Sequence, residues 1–199
     1  MNPSKIDIDR NVRKLRVNSA EFLNLEKSTL ISMLEETIEN ITSIAYYWAT
    51  LASEKKGTLT KSKEGEEWIG GPFACIYAIQ YFIESILNEE DLDISKFDDS
   101  TKSYKVFPTK NIEKLLFPFL EGEVKFGKNL SFEQINEYRG FANRFQNNKP
   151  KITLVLGAGN VSSIPVLDAL FHMIANKSVI YLKLNPVNDY LLPIFTQIF

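Results

Sequence analysis

Two stretches near the end of the chain constrain the fold more than any other feature. The first, Ile152-Thr153-Leu154-Val155-Leu156, is almost unbroken in its apolar character and stops at Gly157-Ala158-Gly159-Asn160. The second, Val179-Ile180-Tyr181-Leu182-Lys183-Leu184, ends at a turn, Asn185-Pro186-Val187-Asn188-Asp189. Strands covered by helices on both faces read this way, because neither face has to alternate with water. Between them Ile164, Leu167, Ala169, Leu170, Met173 and Ile174 step by threes and fours, the period of an amphipathic helix that Asn176 and Lys177 end. Another helix is expected from Tyr190. Strand, helix, strand, helix is the unit of a parallel α/β sheet with a right-handed crossover. Two such strands do not cover themselves, since an independent sheet takes three or more. The pattern therefore reads as an α/β fold whose sheet is incomplete at the C-terminus, with residues 151–199 set against an N-terminal helical region with short strands over 1–150.

Upstream the pattern is helical. Leu30, Met33, Leu34, Ile38, Ile41, Ile44, Ala45, Trp48, Leu51 and Ala52 line one face, opposite Glu35, Glu36, Glu39, Asn40 and Ser43. Ser28 is the expected cap of this helix, and Lys55, Lys56 and Gly57 its end, where cations favour the negative pole of the helix dipole. Residues 1–27 read as an arm or short edge element, and Gly57 to Glu67 as a polar loop. Trp68-Ile69-Gly70-Gly71-Pro72 leads into a second helix, whose Phe73, Ile76, Tyr77, Tyr81, Ile83 and Leu87 occupy nearly every face, so burial is expected. Asn88 to Asp93 reads as an acidic turn, and Ser103 to Pro108 as a short mixed segment. Ile112 to Leu120 is a helical turn stopped near Pro118, Glu121 to Phe126 a strand, and a loop rich in Asn, Gln and Lys runs to about Asn148.

Composition narrows the function classes. With 44% hydrophobic residues in 199, the chain has enough apolar side chains for a core. Its 23 basic and 25 acidic side chains leave no bulk charge that would favour nucleic acid or an anionic membrane. The single cysteine, Cys75, cannot form an intrachain disulfide, which fits a reducing cytoplasm. The polar N-terminus lacks the apolar core of a signal peptide. Ile69 to Leu87 is interrupted by Gly70, Gly71, Pro72, Gln80 and Glu84, too often for a membrane span.

Gly157-Ala158-Gly159 opens like a dinucleotide fingerprint, in which glycines let backbone approach a phosphate at a helix N-terminus. Ser162 stands where the third glycine belongs, and no acidic ribose partner follows at the expected distance; Asp189 lies too far along. A tight strand-to-helix turn explains the glycines equally well. Lys183 sits at the carboxyl end of the second strand, the edge where open α/β sheets take ligands, although a lysine can also snorkel there. His172 reads as an isolated helix residue and Cys75 as a small buried hydrophobe, with no second cysteine or nearby histidine to activate it. Glu89-Glu90 and Asp98-Asp99 read as solvated turns. No zinc spacing, Walker loop or nucleophile elbow occurs.

GAGNVSSIP together with LKLNPVN resembles the aldehyde dehydrogenase superfamily, in its acyl-CoA-reductase-like branch, related to the fatty acid reductases of bacterial luminescence. EWIGGPFACIYAIQYFIESI and VFPTKNIEKLLFPFLEGEVKF resemble the same branch in the same order, so the likeness spans about residues 66 to 199. It implies a Rossmann-type nucleotide domain and NAD or NADP as cofactor. Asn160 would correspond to the asparagine whose side-chain amide binds the aldehyde or thioester oxygen, an oxyanion-hole role. Lys183 would correspond to the lysine that hydrogen-bonds the adenosine ribose. Asn185 and Pro186 stand where most members carry a Ser-Glu pair, which leaves the choice between NAD and NADP open.

The resemblance also implies what the 199 residues lack. The family's catalytic cysteine, its general-base glutamate and the second half of its cofactor site lie beyond the part that matches, and Cys75 does not correspond to the nucleophile. The expectation is the N-terminal part of an NAD(P)-dependent aldehyde dehydrogenase or acyl-CoA reductase, inactive alone, with a complementing C-terminal half or a homo-oligomer as partner. The alternatives are a stand-alone α/β module that binds a nucleotide or a partner without catalysis, and a decayed gene product of marginal stability.

Overall fold

A computed structural model describes residues 4–57, 61–87, 92–138 and 149–199, with the side chains of 61–63 and 138 left aside. The protein is a mixed α/β chain, mostly helical, with two small sheets among the described residues. It divides into two compact units, residues 1–88 with 142–199, and residues 89–141.

The larger unit begins with α1 (Lys5–Leu23), where an arm was expected. Ser4 and Asp7 cap it reciprocally: the Asp7 amide donates to Ser4 Oγ at 3.2 Å and the Ser4 amide to the Asp7 carboxylate at 3.3 Å. The Ser-x-x-Asp spacing is a helix-start signal in its own right, and it lies in the sequence. Helix α2 (Lys27–Lys55) follows, with Leu34, Ile41, Ala45, Trp48 and Ala52 buried on the face that the periodicity assigns, although Met33 of that face is exposed. Its cap is Glu26, which makes no side-chain cap bond, so Ser28 lies inside the first turn and is not the cap. The helix stops where expected, and Gly57 follows at φ 68°.

The expected polar loop holds a second correction. Helix α3 (Lys61–Trp68) occupies most of it, and a π-helical turn (Ile69–Phe73) carries the chain into α4 (Ala74–Leu87). Cys75, Ile79 and Ile86 of α4 are buried, while Ile76, Phe82 and Ile83 are partly so.

Strands β4 (Lys151–Leu156) and β5 (Ser178–Lys183) pair in parallel, from Lys151 opposite Ser178 to Leu156 opposite Lys183. Helix α7 (Ile164–Asn176) connects them, closed by Lys177 in the left-handed region at φ 45°. After β5 a 3-10 turn (Pro186–Leu191) runs into α8 (Leu192–Ile198). The strand–helix–strand–helix order therefore holds. Helices α1 and α7 both pack on the pair. The expectation that both strands are covered on both faces holds for β5 better than for β4, where Leu154 and Leu156 are 61% and 68% exposed. The core joins α2, α4, α7 and α8 through Ile41, Trp48, Ile79, Leu170, Leu191 and Ile194.

The smaller unit holds an antiparallel sheet of β1 (Phe97–Asp98), β2 (Ser103–Phe107) and β3 (Gly122–Lys125) with α5 (Asn111–Leu116) and α6 (Phe132–Tyr138). The expected strand and the helical turn before Pro118 are present. Glu113 is buried and accepts from the Lys110 amide at 2.9 Å, tying α5 to the chain before it. Helix α6 stands within the segment expected to be a loop. Phe97 packs on Phe132 and Phe107 on Phe117. Glu89 and Glu90, expected in an acidic turn, lie outside the described residues.

Candidate functional site

Because β4 and β5 run parallel and in register, their carboxyl ends deliver two loops to one edge of the sheet. The Gly157 amide donates to the Lys183 carbonyl at 2.9 Å, and the Asn188 side chain, itself buried, donates to the Ala158 carbonyl at 3.0 Å. A Cβ on Gly159 would stand 2.8 Å from Val187 and 2.9 Å from Asn185. The two loops thus touch through backbone, and glycine is required at 159 because the second loop leaves no room. This is the packing reading of the glycines. A phosphate cradle needs open space above them, and here the Asn185 and Val187 side chains fill it.

The four residues singled out by resemblance all stand at this edge. Asn160 and Lys183 are exposed, with Lys183 Nζ donating to the Leu184 carbonyl at 3.3 Å. Asn185 is half-buried, and its Oδ1 accepts from the Val187 amide at 3.2 Å, capping the 3-10 turn that Pro186 begins. Asn185 thus uses its side-chain oxygen within the turn, while the exposed Asn160 and Lys183 side chains are open to solvent at this edge.

Below this edge lies a set of polar residues that the sequence pattern did not single out. Ser162 is 1% exposed and accepts from Trp48 Nε1 of α2 at 3.1 Å. Its hydroxyl explains why the third glycine of the fingerprint is missing: a glycine there would leave the buried indole N–H without a partner. The Ser163 amide donates to the Gly70 carbonyl in the π-helical turn at 3.1 Å. Lys56 at the end of α2 donates to both carboxylate oxygens of Glu67 at 2.7 and 2.9 Å, and to the Asn160 carbonyl at 3.4 Å. Glu67 is 4% exposed, so its charge is held in a dry environment where the ion pair matters. The hydroxyl of Tyr190 is enclosed and makes no hydrogen bond among the described residues. Burial first, then the Glu67 charge, pushes its phenol up to about 12. Sequence periodicity assigned Trp48 to a core face and Lys56 to a helix end, and gave no sign that either reaches the Gly157–Ser163 loop. No local spacing encodes a contact between residues 48 and 162.

The remaining candidates stand apart. Cys75 is fully buried, and burial pushes its thiol far up, away from the reactive thiolate. His172 pairs through Nδ1 with the Asn176 side chain at 2.7 Å on α7. Asp98, expected in a solvated turn, ends strand β1 instead and is exposed there; it accepts from the amide and hydroxyl of Ser100 at 2.9 and 2.6 Å, which holds its carboxyl below the usual range. Among the described residues no group of three or more His, Cys, Asp or Glu side chains could hold a metal ion. No described helix is long and apolar enough to cross a membrane.

No family model, curated protein or solved structure matches this chain. The functional reading therefore rests on the residues at this edge.

Proposed function

We propose that the chain carries the cofactor-facing part of an NAD(P)-dependent aldehyde dehydrogenase or acyl-CoA reductase, and that it does not turn over substrate alone. The observation that supports this most is the exposed pair of donors, Asn160 and Lys183, at the carboxyl ends of two parallel strands, the edge at which open α/β sheets take ligands. The donor set fits a nicotinamide dinucleotide in one respect. Lys183 offers a cation and hydrogen-bond donors suited to ribose hydroxyls or a phosphate. The filled space over Gly159 does not suit a pyrophosphate, so in this reading the adenosine end is held by Lys183 and the phosphates are not held by the glycine turn. When bound, such a cofactor supplies hydride transfer. The Asn160 side chain would donate its amide to the oxygen of an aldehyde or acyl thioester, where negative charge develops during acyl transfer. Cys75, buried and protonated, takes no part.

Titration of the full chain with NADH and NADPH, followed by backbone amide chemical shifts, tests this reading. The expected result is movement confined to residues 157–160 and 183–188, lost in Lys183→Ala while the fold is kept. Unmoved resonances there at millimolar nucleotide sink it, leaving the alternative of a binding module for another partner.

A further inference from the structure

The loop that carries Asn160 is tied from below at three points, by three different parts of the helical layer. Trp48, in the middle of α2, holds the Ser162 hydroxyl at 3.1 Å. Gly70, in the π-helical turn, holds the Ser163 amide at 3.1 Å. Lys56, at the end of α2, reaches the Asn160 carbonyl at 3.4 Å while both oxygens of Glu67 on α3 fix its ammonium. Two of these partners are more than a hundred positions away in the chain, with separations of 114 for Trp48 to Ser162 and 104 for Lys56 to Asn160. The Trp48 ring cannot yield, because it is fully buried and packs edge-on against Phe195 at 5.6 Å. Gly71 lies so near that a Cβ there would stand 3.0 Å from Ser162 Oγ and 3.3 Å from Trp48 Nε1.

We propose that Trp48, Lys56 and Glu67 are positioning residues that fix the backbone of the Gly157–Ser163 loop, and with it the direction in which the Asn160 side chain is presented. They touch no ligand and act through Ser162 and the Asn160 carbonyl. The consequence for binding rests on the nucleotide- and acyl-facing reading given above, whereas the bracing itself does not.

The test separates the two. Amide hydrogen exchange is measured on the full chain for wild type, Ser162→Ala, Lys56→Met and Lys56→Arg, with the Trp48 indole N–H as a spectroscopic marker. In Ser162→Ala the indole proton loses protection, and exchange at Ser163 rises about tenfold, the scale of one hydrogen bond, while amides in the middle of α4 keep their rates. Lys56→Met raises exchange at Ile164, whose amide donates to the Val161 carbonyl at 3.4 Å, by about threefold or more, and Lys56→Arg, which keeps a donor for Glu67, restores it. Unchanged loop exchange in Ser162→Ala and Lys56→Met overturns the inference. With nucleotide present, both loosened variants bind about three- to tenfold more weakly than wild type. A loosened loop with unchanged affinity also overturns the positioning role. A wild-type chain that binds no nucleotide overturns the proposed function alone, and the exchange rates then decide the bracing.

Discussion

The backbone carbonyl of Gly70 accepts from the Ser163 amide at 3.1 Å, joining the π-helical turn before α4 to the turn after β4. Two segments that each look like an ordinary connection are therefore one unit, with Trp48 between them. Substitutions at that junction affect both.

Gly71→Ala is the sharpest probe of that junction. The new methyl would meet Ser162 Oγ at 3.0 Å and Trp48 Nε1 at 3.3 Å, and Trp48 has nowhere to move. Overpacking of this kind costs about 1–3 kcal/mol. Urea unfolding should show a lower midpoint with an unchanged slope; a midpoint equal to wild type would mean the two turns separate freely.

Lys56→Met leaves the Glu67 carboxylate buried without its ion pair, while Lys56→Met with Glu67→Leu removes both charges. Breaking one side of a buried pair is the costly change, and replacing both is close to neutral. Because Lys56 keeps 31% of its side chain in water, the single substitution should cost about 1–2 kcal/mol, below the range for fully dry pairs. A double-mutant cycle by chemical denaturation measures it, and equal losses in the single and double variants would contradict the argument.

Tyr190 gives the pH dependence. Its phenol is pushed up to about 12 by burial and by Glu67, against about 10 for an exposed tyrosine. Below pH ~10 both folded and unfolded chains hold the proton, so the group has no differential effect. Between pH ~10 and ~12 the unfolded chain releases it and the folded chain keeps it, so stability falls as pH rises through that window. Tyr190→Phe should flatten the fall. At neutral pH the same substitution should be neutral or slightly stabilising, since it removes an enclosed hydroxyl that has no partner among the described residues. Thermal melts at pH 7 and pH 11 give both numbers.

Cys75 should be silent toward a disulfide reagent in the native state, being fully buried with its thiol pushed up. Its modification rate in denaturant should follow the population of open chains. Rapid labelling of native protein would show that α4 opens locally.

How far the sequence carried this reading depends on the range of the signal. The parallel pair and α7 were legible because a run such as Leu154-Val155-Leu156 and the three–four stepping of Ile164 to Ile174 are local patterns. Helix α1 was missed because Ile6, Ile8 and Val17 are exposed, which blurs its apolar stripe, although Ser4 and Asp7 marked its start. Helix α3 was missed because Lys61 to Glu66 is almost wholly polar, with the first large apolar side chain at Trp68. Asn160 and Lys183 could be named from their neighbours in the chain. Trp48, Lys56 and Glu67 could not, since their importance lies in partners brought close only by folding.

The strand that carries Leu154 and Leu156 into water has a colloidal consequence. Each strand of the β4–β5 pair is bonded along one side only among the described residues, and Lys151 is the sole charge within β4. A bare backbone edge beside two uncovered leucines is a template for a neighbouring molecule's strand. Among the six residues of β4, Lys151 is thus the single gatekeeper against such pairing. A second charge at position 154 opposes that pairing directly, a protection that a gain in melting temperature does not supply.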